Sequence, residues 1–594
     1  MSNLQQLPIE VLDSRVWPLA DYTLSRLKMK AAENLAALMP AESNFNADSL
    51  YKMLERARNE EHGLFALPCP QLRLPGNPVA VANDLAARFP LDDTFISAKA
   101  AGPFLNISVN GSALLKDTIK ETLSMGESYG TNKIGEGKRI CIDYSSPNIA
   151  KPFHVGHLRS TIIGNFLKLV YRANGFHVHG INYLGDWGKQ YGLLAVGFGR
   201  YGSEEALQTD PIRHLFDFYV KINADAKDDA AIDDEARAYF KKMEDGDEEA
   251  LKLWRRFREL SIEKYKDIYK RLNVEFEEYS GESCFEHGMM DRVAELEQMG
   301  LLVDSQGAKV VDLEPFNLGK AIVIKKDGAT LYLTRDIAAA NERFERLKLD
   351  KAIYVIASQQ DLHMQQLFKI MELSGRPWAK NMVHINFGMV LGMSTRKGKV
   401  EFLEDVLNDA KNTMHEVMKE NPAKYAEIAD PEGTSDTLAI SAIVVQDMAA
   451  KRVKDYKWEL ERVTKFEGDT GPYLQYAHSR LRSIERKAAE QFGDDLFSSS
   501  ADLSLLSEKE AQSLALLIAR YPEVVQEARI TTEPCTVINY LMLLSRSIST
   551  TLDRLWVMNQ EAELAKARMA LYTAARITLG NGLRLIGLKP LDRM

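Results

Sequence analysis

The sequence predicts a doubly wound α/β domain over residues 136–405, preceded by an N-terminal α/β module (1–135) and followed by an all-α domain (406–594). Three observations carry this. An apolar run, Arg139 to Tyr144, leads into apolar positions at helical spacing from Leu158 to Val170. A second apolar run follows, from Phe176 to Tyr183, so the segment reads as a βαβ unit. A later pair repeats the pattern: a strand at Ala352 to Ala357, then Met364, Leu367, Phe368 and Met371 at i, i+3, i+4 and i+7, closed by Gly375. Beyond about residue 405 glycines thin out and long amphipathic helices take over.

The bounds are ordinary. A chain of 594 residues exceeds one core, so roughly two to four domains are expected. At 45% hydrophobic and 27% charged residues it reads as globular. A net charge of −9 speaks against wholesale coating of nucleic acid and leaves local basic patches open. Cys69, Cys141, Cys284 and Cys535 are scattered without Cys-x-x-Cys spacing, so neither zinc nor disulfides are expected and a reducing compartment fits. Glu10 and Asp13 interrupt the N-terminus, no run of about 18 apolar residues exists, and neither a leader nor a membrane span is expected.

Each element has a local reason. A helix is expected from Leu19 to Met39 and a strand from Phe104 to Val109; the glycine-rich stretch from Gly126 to Gly137 reads as a linker. Asn174-Gly175 stops the first helix of the βαβ unit. An insertion of about 200–330 opens with a charged helical stretch, Ser203 to Tyr269. The run Ile322 to Leu333 reads as a hairpin turning at Asp327-Gly328, with Thr334 capping a helix from Asp336 to Leu347.

The chemistry concentrates where the first strand meets the first helix: Ser146-Pro147-Asn148-Ile149-Ala150-Lys151-Pro152-Phe153-His154-Val155-Gly156-His157. Two neutral imidazoles can donate to phosphate oxygens. Gly156 would admit a ligand close to the backbone. The helix N-terminus behind them points amides at an anion. Far downstream stands Gly388-Met389-Val390-Leu391-Gly392-Met393-Ser394-Thr395-Arg396-Lys397-Gly398. Alone this is a solvated basic turn; with the histidine pair, the two halves of a doubly wound sheet can bring both loops to one nucleotide.

On these residues the chain resembles class I aminoacyl-tRNA synthetases, with residues 154–157 in the place of the HIGH signature and 392–396 in that of the KMSKS loop. More closely it resembles the arginyl-tRNA synthetases of eukaryotic cytosolic type, through Ser-Ser-Pro-Asn-Ile-Ala-Lys (145–151), Leu-Gly-Asp-Trp-Gly-Lys-Gln (184–190), Leu-Tyr-Leu-Thr-Arg-Asp-Ile-Ala (331–338) and Gly-Asp-Thr-Gly-Pro-Tyr-Leu-Gln-Tyr-Ala-His-Ser-Arg (468–480). Thr395 stands where the loop has its second lysine. The resemblance implies that Lys151 compensates, with Arg396 and Lys397 as rivals.

The resemblance implies a Rossmann-like catalytic domain that activates L-arginine with ATP and transfers it to tRNA(Arg), in the cytoplasm and as a monomer. Mg2+ is expected with ATP, and no metal ligands of the protein are implied. It implies Lys151, His154 and His157 as catalytic, and ATP contacts at His154, Gly156, His157, Gly388, Met389, Val390, Met393, Ser394, Arg396 and Lys397. Arginine contacts are implied at Ser146, Pro147, Asn148, His157, Glu282, Tyr332, Asp336 and Gln360. For tRNA it implies Phe104, Asn106, Tyr473, Tyr476 and Met594, and the helical domain adds Lys451, Arg452, Lys454, Arg480, Arg482 and Arg486. Read without it, Asp336 is a first-turn helix residue, Tyr332 a strand aromatic and Glu282 a surface carboxylate. A nucleotidylyltransferase of similar fold and a tRNA-binding scaffold without catalysis are the competing readings.

Overall fold

The computed structural model describes residues 7–57, 60–149, 153–326, 332–391, 402–457, 468–493 and 501–594. Its centre is a parallel sheet of five strands: β1 (Arg139–Asp143), β2 (His177–Leu184), β3 (Glu278–Gly281), β4 (Lys351–Val355) and β5 (Met382–Ile385), in spatial order β5-β4-β1-β2-β3. Strand order reverses between β1 and β4. In such sheets a ligand crevice opens beyond the carboxyl ends at that reversal.

The helix α1 (Val155–Ala173) packs on β1 through Leu158, Ile162, Phe166 and Val170, all buried. Gly164 makes the contact close: a Cβ there would lie 2.2 Å from the Tyr144 ring. Asn174 ends the helix, its side-chain amide donating to the Val170 carbonyl at 2.8 Å, and Gly175 turns away at φ +82°. The helix α2 (Glu248–Arg271) covers the loops after β1 and β2. The helices α3 (Tyr332–Leu347) and α4 (Asp361–Leu373) flank β4.

Four expectations change. The strand Lys320–Ile324 pairs not with Tyr332 and Leu333 but with Ala308–Asp312, inside a three-stranded antiparallel sheet. Tyr332 and Leu333 already belong to α3, because Leu333, Ile337, Ala340 and Phe344 recur at helical spacing and are buried together. Thr334 is therefore not a cap; its hydroxyl donates to the Val323 carbonyl at 2.8 Å. The Asp327-Gly328 turn lies outside the described residues. The stretch 126–137 is no bare linker either: Tyr129 and Ile134 are buried, and Asn581 donates to the carbonyls of Gly126 and Tyr129, each at 3.0 Å. Finally β3 falls within 200–330, so the extra elements lie on both sides of it.

The N-terminal module is a four-stranded antiparallel sheet with its own core. The C-terminal helices Gly471–Phe492, Lys509–Thr531, Pro534–Arg554 and Ala562–Leu585 share one continuous core with β1, α1 and the segment Ile9 to Tyr22. Among the described residues no helix is long and apolar enough to cross a membrane.

Candidate active site

The site begins where β1 ends. Ser145 and Ser146 both adopt left-handed backbone, φ +75° and +50°, which costs about 1–3 kcal/mol each. Five hydrogen bonds of about 1 kcal/mol each hold them there. The Ser145 amide donates to Ser160 Oγ (2.9 Å), Thr161 Oγ1 donates to Ser145 Oγ (2.7 Å), and Ser145 Oγ pairs with the Tyr269 hydroxyl (2.7 Å). The Ser146 amide donates to Asn182 Oδ1 (3.1 Å), and its hydroxyl to Asp143 Oδ1 (3.0 Å). Ser160 Oγ also donates to the Val355 carbonyl at 2.7 Å, stitching the ends of β1 and β4 together at the reversal.

Downstream, Gly185 N–H donates to the Pro147 carbonyl (3.2 Å), and Tyr265 donates to the Asn148 carbonyl (3.3 Å). Phe153 stacks on His157 with ring centres 5.4 Å apart and also meets Tyr265. His154 is the N-cap of α1: its Nδ1 accepts the Gly156 amide at 3.1 Å, and His157 Nδ1 accepts the His154 amide at 3.2 Å. Since both Nδ1 atoms accept, the neutral rings carry their proton on Nε2. The space over Gly156 is taken by the His154 ring, 2.9 Å from a hypothetical Cβ. A side chain at this position would have to displace that ring.

Both flanks of the segment 392–401 are fastened beside these histidines. Leu403 N–H donates to the Phe153 carbonyl at 2.8 Å. On the other side the buried Arg159 of α1 donates to the Gly388 carbonyl at 2.6 Å. Met393, Ser394, Arg396 and Lys397 lie outside the described residues, as does Lys151. Gly388 and Met389 commit their amides to the protein, to the Arg452 carbonyl (3.0 Å) and Asp455 Oδ1 (2.6 Å). As placed, those two amides do not face a base; the exposed Met389 side chain is what a nucleotide could meet.

The second half of the site is acidic. Glu282, directly after β3, is not on the surface: burial first, then Asp336 and Asp186, push its carboxyl up to about 8, against the pull of Arg335 at 3.7 Å. Asp186 is wholly buried and held by Arg258 at 2.6 Å. Asp336 lies in the second turn of α3 and does not cap it; its Oδ2 is 2.7 Å from His363 Nε2. Tyr332, exposed, stands one turn before Asp336 on the same helix face. Nearby, Asp143 and Arg343 form a buried pair at 2.8 Å; burial pushes the Asp143 carboxyl up and the guanidinium pulls it back. Gln360 is exposed beyond the end of β4. Sequence reasoning missed Arg159, His363, Arg335 and the Asp186–Arg258 pair. Arg159 alone had a signal: a charge among the apolar positions 158, 162 and 163 of α1.

Three family models match the chain: tRNA synthetases class I (R), catalytic domain, over residues 118–460; DALR anticodon binding domain over 474–594; and Arginyl tRNA synthetase N terminal domain over 25–109. The chain belongs to the class I arginyl-tRNA synthetases. It is 51% identical over 563 residues to the cytoplasmic arginine–tRNA ligase of Saccharomyces cerevisiae, covering 93% of this chain and 92% of that protein. It is 48% identical to the probable cytoplasmic arginine–tRNA ligase of Dictyostelium discoideum, covering 95% and 100%. The Thermus thermophilus arginyl-tRNA synthetase structure shares the fold at a TM-score of 0.79 and 22% identity, covering 96% of this chain and all of that one.

In this synthetase the residues expected to meet tRNA divide. Asn106 is 5% exposed in the N-terminal sheet, and Phe104 is half-buried. Tyr473 and Tyr476 lie one turn apart on the helix Gly471–Phe492, and Tyr476 is exposed beneath Lys424. Met594 packs against the core. Arg480 and Arg482 are paired with Asp553 and Asp592, each at 2.9 Å, and the Arg452 guanidinium donates to Asn386 Oδ1 at 3.0 Å and lies 3.7 Å from Glu533 Oε1.

Proposed function

We propose that this chain is an arginine–tRNA ligase. The carboxylate of L-arginine attacks the α-phosphorus of ATP, diphosphate leaves, and arginyl-adenylate forms. A hydroxyl of the 3′-terminal adenosine of tRNA(Arg) then attacks the arginyl carbonyl, and AMP leaves. No protein nucleophile takes part, so the rate comes from positioning and charge.

The Nε2–H groups of His154 and His157, at the positive end of α1, donate to the phosphates. Lys151, with Arg396 and Lys397, supplies the fixed cation. Gly156, Met389 and Val390 line the nucleotide side, with Gly388 fixing the strand, and Met393 and Ser394 extend it. Asp336 takes the guanidinium fork, Tyr332 covers its stem, and Glu282 adds charge. Ser146, Pro147, Asn148, His157 and Gln360 take the amino and carboxylate ends. Mg2+ enters as the ion of ATP; among the described residues no group of three or more acidic, histidine or cysteine side chains offers it a cage. Residues 1–135 and 406–594 hold the tRNA, with Phe104, Tyr473, Tyr476 and Met594 as contacts. The protein works as a cytoplasmic monomer, a point for light scattering and fractionation.

One observation carries this reading: both flanks of the segment 392–401 are bonded to the histidine-bearing end of α1, at the reversal point of the sheet. The test is charging of total tRNA and ATP–diphosphate exchange with each of the twenty amino acids. Arginine alone should support both. Exchange with another amino acid, or tRNA binding without arginyl-tRNA formation, would overturn it.

A further inference from the structure

Arg159 follows His157 by two residues and does something no apolar core residue could. Its Nη1 donates to two carbonyls at once, Gly388 (2.6 Å) and Lys454 (3.0 Å). Its Nε lies 3.4 Å from Asp447 Oδ2, and its guanidinium lies 5.1 Å from the centre of the Tyr456 ring. Arg159 and Asp447 side chains are each 1% exposed. The two carbonyls belong to a parallel ribbon in which Val390 pairs with Tyr456 and Leu391 with Lys457. The ribbon has no slack at its root: a Cβ on Gly388 would stand 2.6–2.8 Å from Asp455 and Lys454. The Gly388 amide is bonded to the Arg452 carbonyl, and the Tyr456 amide to the Met389 carbonyl.

We propose that Arg159 and Asp447 are a positioning pair, which fixes the ribbon 388–391/454–457 at a set distance from the imidazoles of α1 and so sets the two ends of the ATP site against one another. The inference rests on the ATP-site reading above. A rigid planar guanidinium fixes the direction of its donors to the two carbonyls while its charge faces the carboxylate; an ammonium on a flexible stem is a point charge with no such plane. A buried ion pair adds little net stability compared with an apolar pair of the same volume. What it supplies here is orientation. Asp447 ends the helix Pro431–Met448, so the pair also ties that helix to the ATP side.

The test uses full-length Arg159→Lys, Asp447→Asn and the double variant Arg159→Lys with Asp447→Glu, which restores the reach of the pair. ATP–diphosphate exchange gives KM for ATP and for arginine separately, and Tm is read in parallel. Tyr572→Phe serves as a control, since it removes only buried hydroxyl contacts to Thr551 and Leu555 far from the ribbon. Both single variants should raise KM for ATP about tenfold or more, as small displacements of a reacting group do. KM for arginine should stay within about twofold. The double variant should recover part of the loss, and Tyr572→Phe should lower Tm with neither KM moved. Equal changes in both KM values, or variants that lower Tm like the control with KM for ATP unmoved, would overturn the pair as a positioning device. If Arg159→Lys does not fold, Asp447→Asn decides. His157→Asn separates the underlying reading: should it leave exchange intact, the ATP-site assignment itself fails.

Discussion

His154 and His157 cap the same helix start reciprocally, with the His157 Nδ1 3.2 Å from the His154 amide and the His154 Nδ1 3.1 Å from the Gly156 amide. Each Nδ1 is thus structural, and the proposed function gives the phosphates to Nε2. Asparagine places its carbonyl oxygen where Nδ1 stands and has nothing at Nε2. His157→Asn should therefore keep the cap, worth about 1 kcal/mol, and lose phosphate stabilisation, about 2.7–4 kcal/mol or 10²–10³ in rate. Unfolding should be unchanged while ATP–diphosphate exchange collapses. His157→Ala should lose both. An Asn variant with near-normal exchange would return the histidines to a purely capping role.

Arginine binding should improve with pH through about 8. The Glu282 carboxyl is pushed up to about 8 in the empty site, chiefly by burial. Below that pH it is neutral and offers a guanidinium no charge; above it the anion forms. KM for arginine should fall as pH rises from 7 to 9 while KM for ATP stays flat, and Glu282→Gln should erase the trend. The stability sign is opposite. A carboxyl whose folded pKa lies above its ordinary 4.5 loses stability as pH rises from 4.5 towards 8, so Glu282→Gln should unfold at a higher temperature than the parent at pH 8. A KM for arginine independent of pH would take Glu282 out of the pocket.

Asp336→Ala should abolish arginine use and leave ATP binding intact. Losing the carboxylate removes a bidentate, charge-assisted contact, about 3 kcal/mol or more. The 2.7 Å contact with His363 adds a finer test: His363→Asn should raise KM for arginine several-fold, because the carboxylate loses the partner that aims it. Unaltered arginine kinetics in Asp336→Ala would remove the specificity assignment.

The fold was legible where apolar residues recur in regular runs. Leu158, Ile162, Phe166 and Val170 gave α1, and the apolar runs before and after it gave β1 and β2, although almost every position of α1 from Leu158 to Tyr171 and most of both strands are buried. Leu331-Tyr332-Leu333 misled because three residues with two apolar ends fit a strand and a helix start equally. Only the helical recurrence of Ile337, Ala340 and Phe344 decides, and it decides for α3. The histidine end of the site was legible because its spacing is local. Glu282 was undervalued because the charges that act on it once it is buried, Arg335, Asp336 and Asp186, are all distant in sequence. His363 was invisible for the same reason: nothing within α4 announces that α3 carries its partner.

The last prediction concerns the opposite end of the sheet. Asp13 joins three parts of the molecule: its Oδ1 meets Arg529 of the C-terminal helices, and its Oδ2 meets Lys351 at the start of β4 and lies 3.2 Å from the Tyr171 hydroxyl on α1. Trp17 and Gln526 add a reciprocal pair at 2.8 and 2.9 Å. Arg529 has a wholly buried side chain, so Asp13→Asn leaves a buried cation uncompensated, a loss of about 3–5 kcal/mol. Lys351 opens β4, whereas the active site lies beyond its far end, so the chemistry should not feel the change directly. Asp13→Asn should lower the midpoint of urea unfolding and leave kcat/KM for exchange at 25 °C within about twofold. The reverse result, slow exchange in a variant of normal stability, would mean that this joint governs the catalytic geometry rather than the cohesion of the domains.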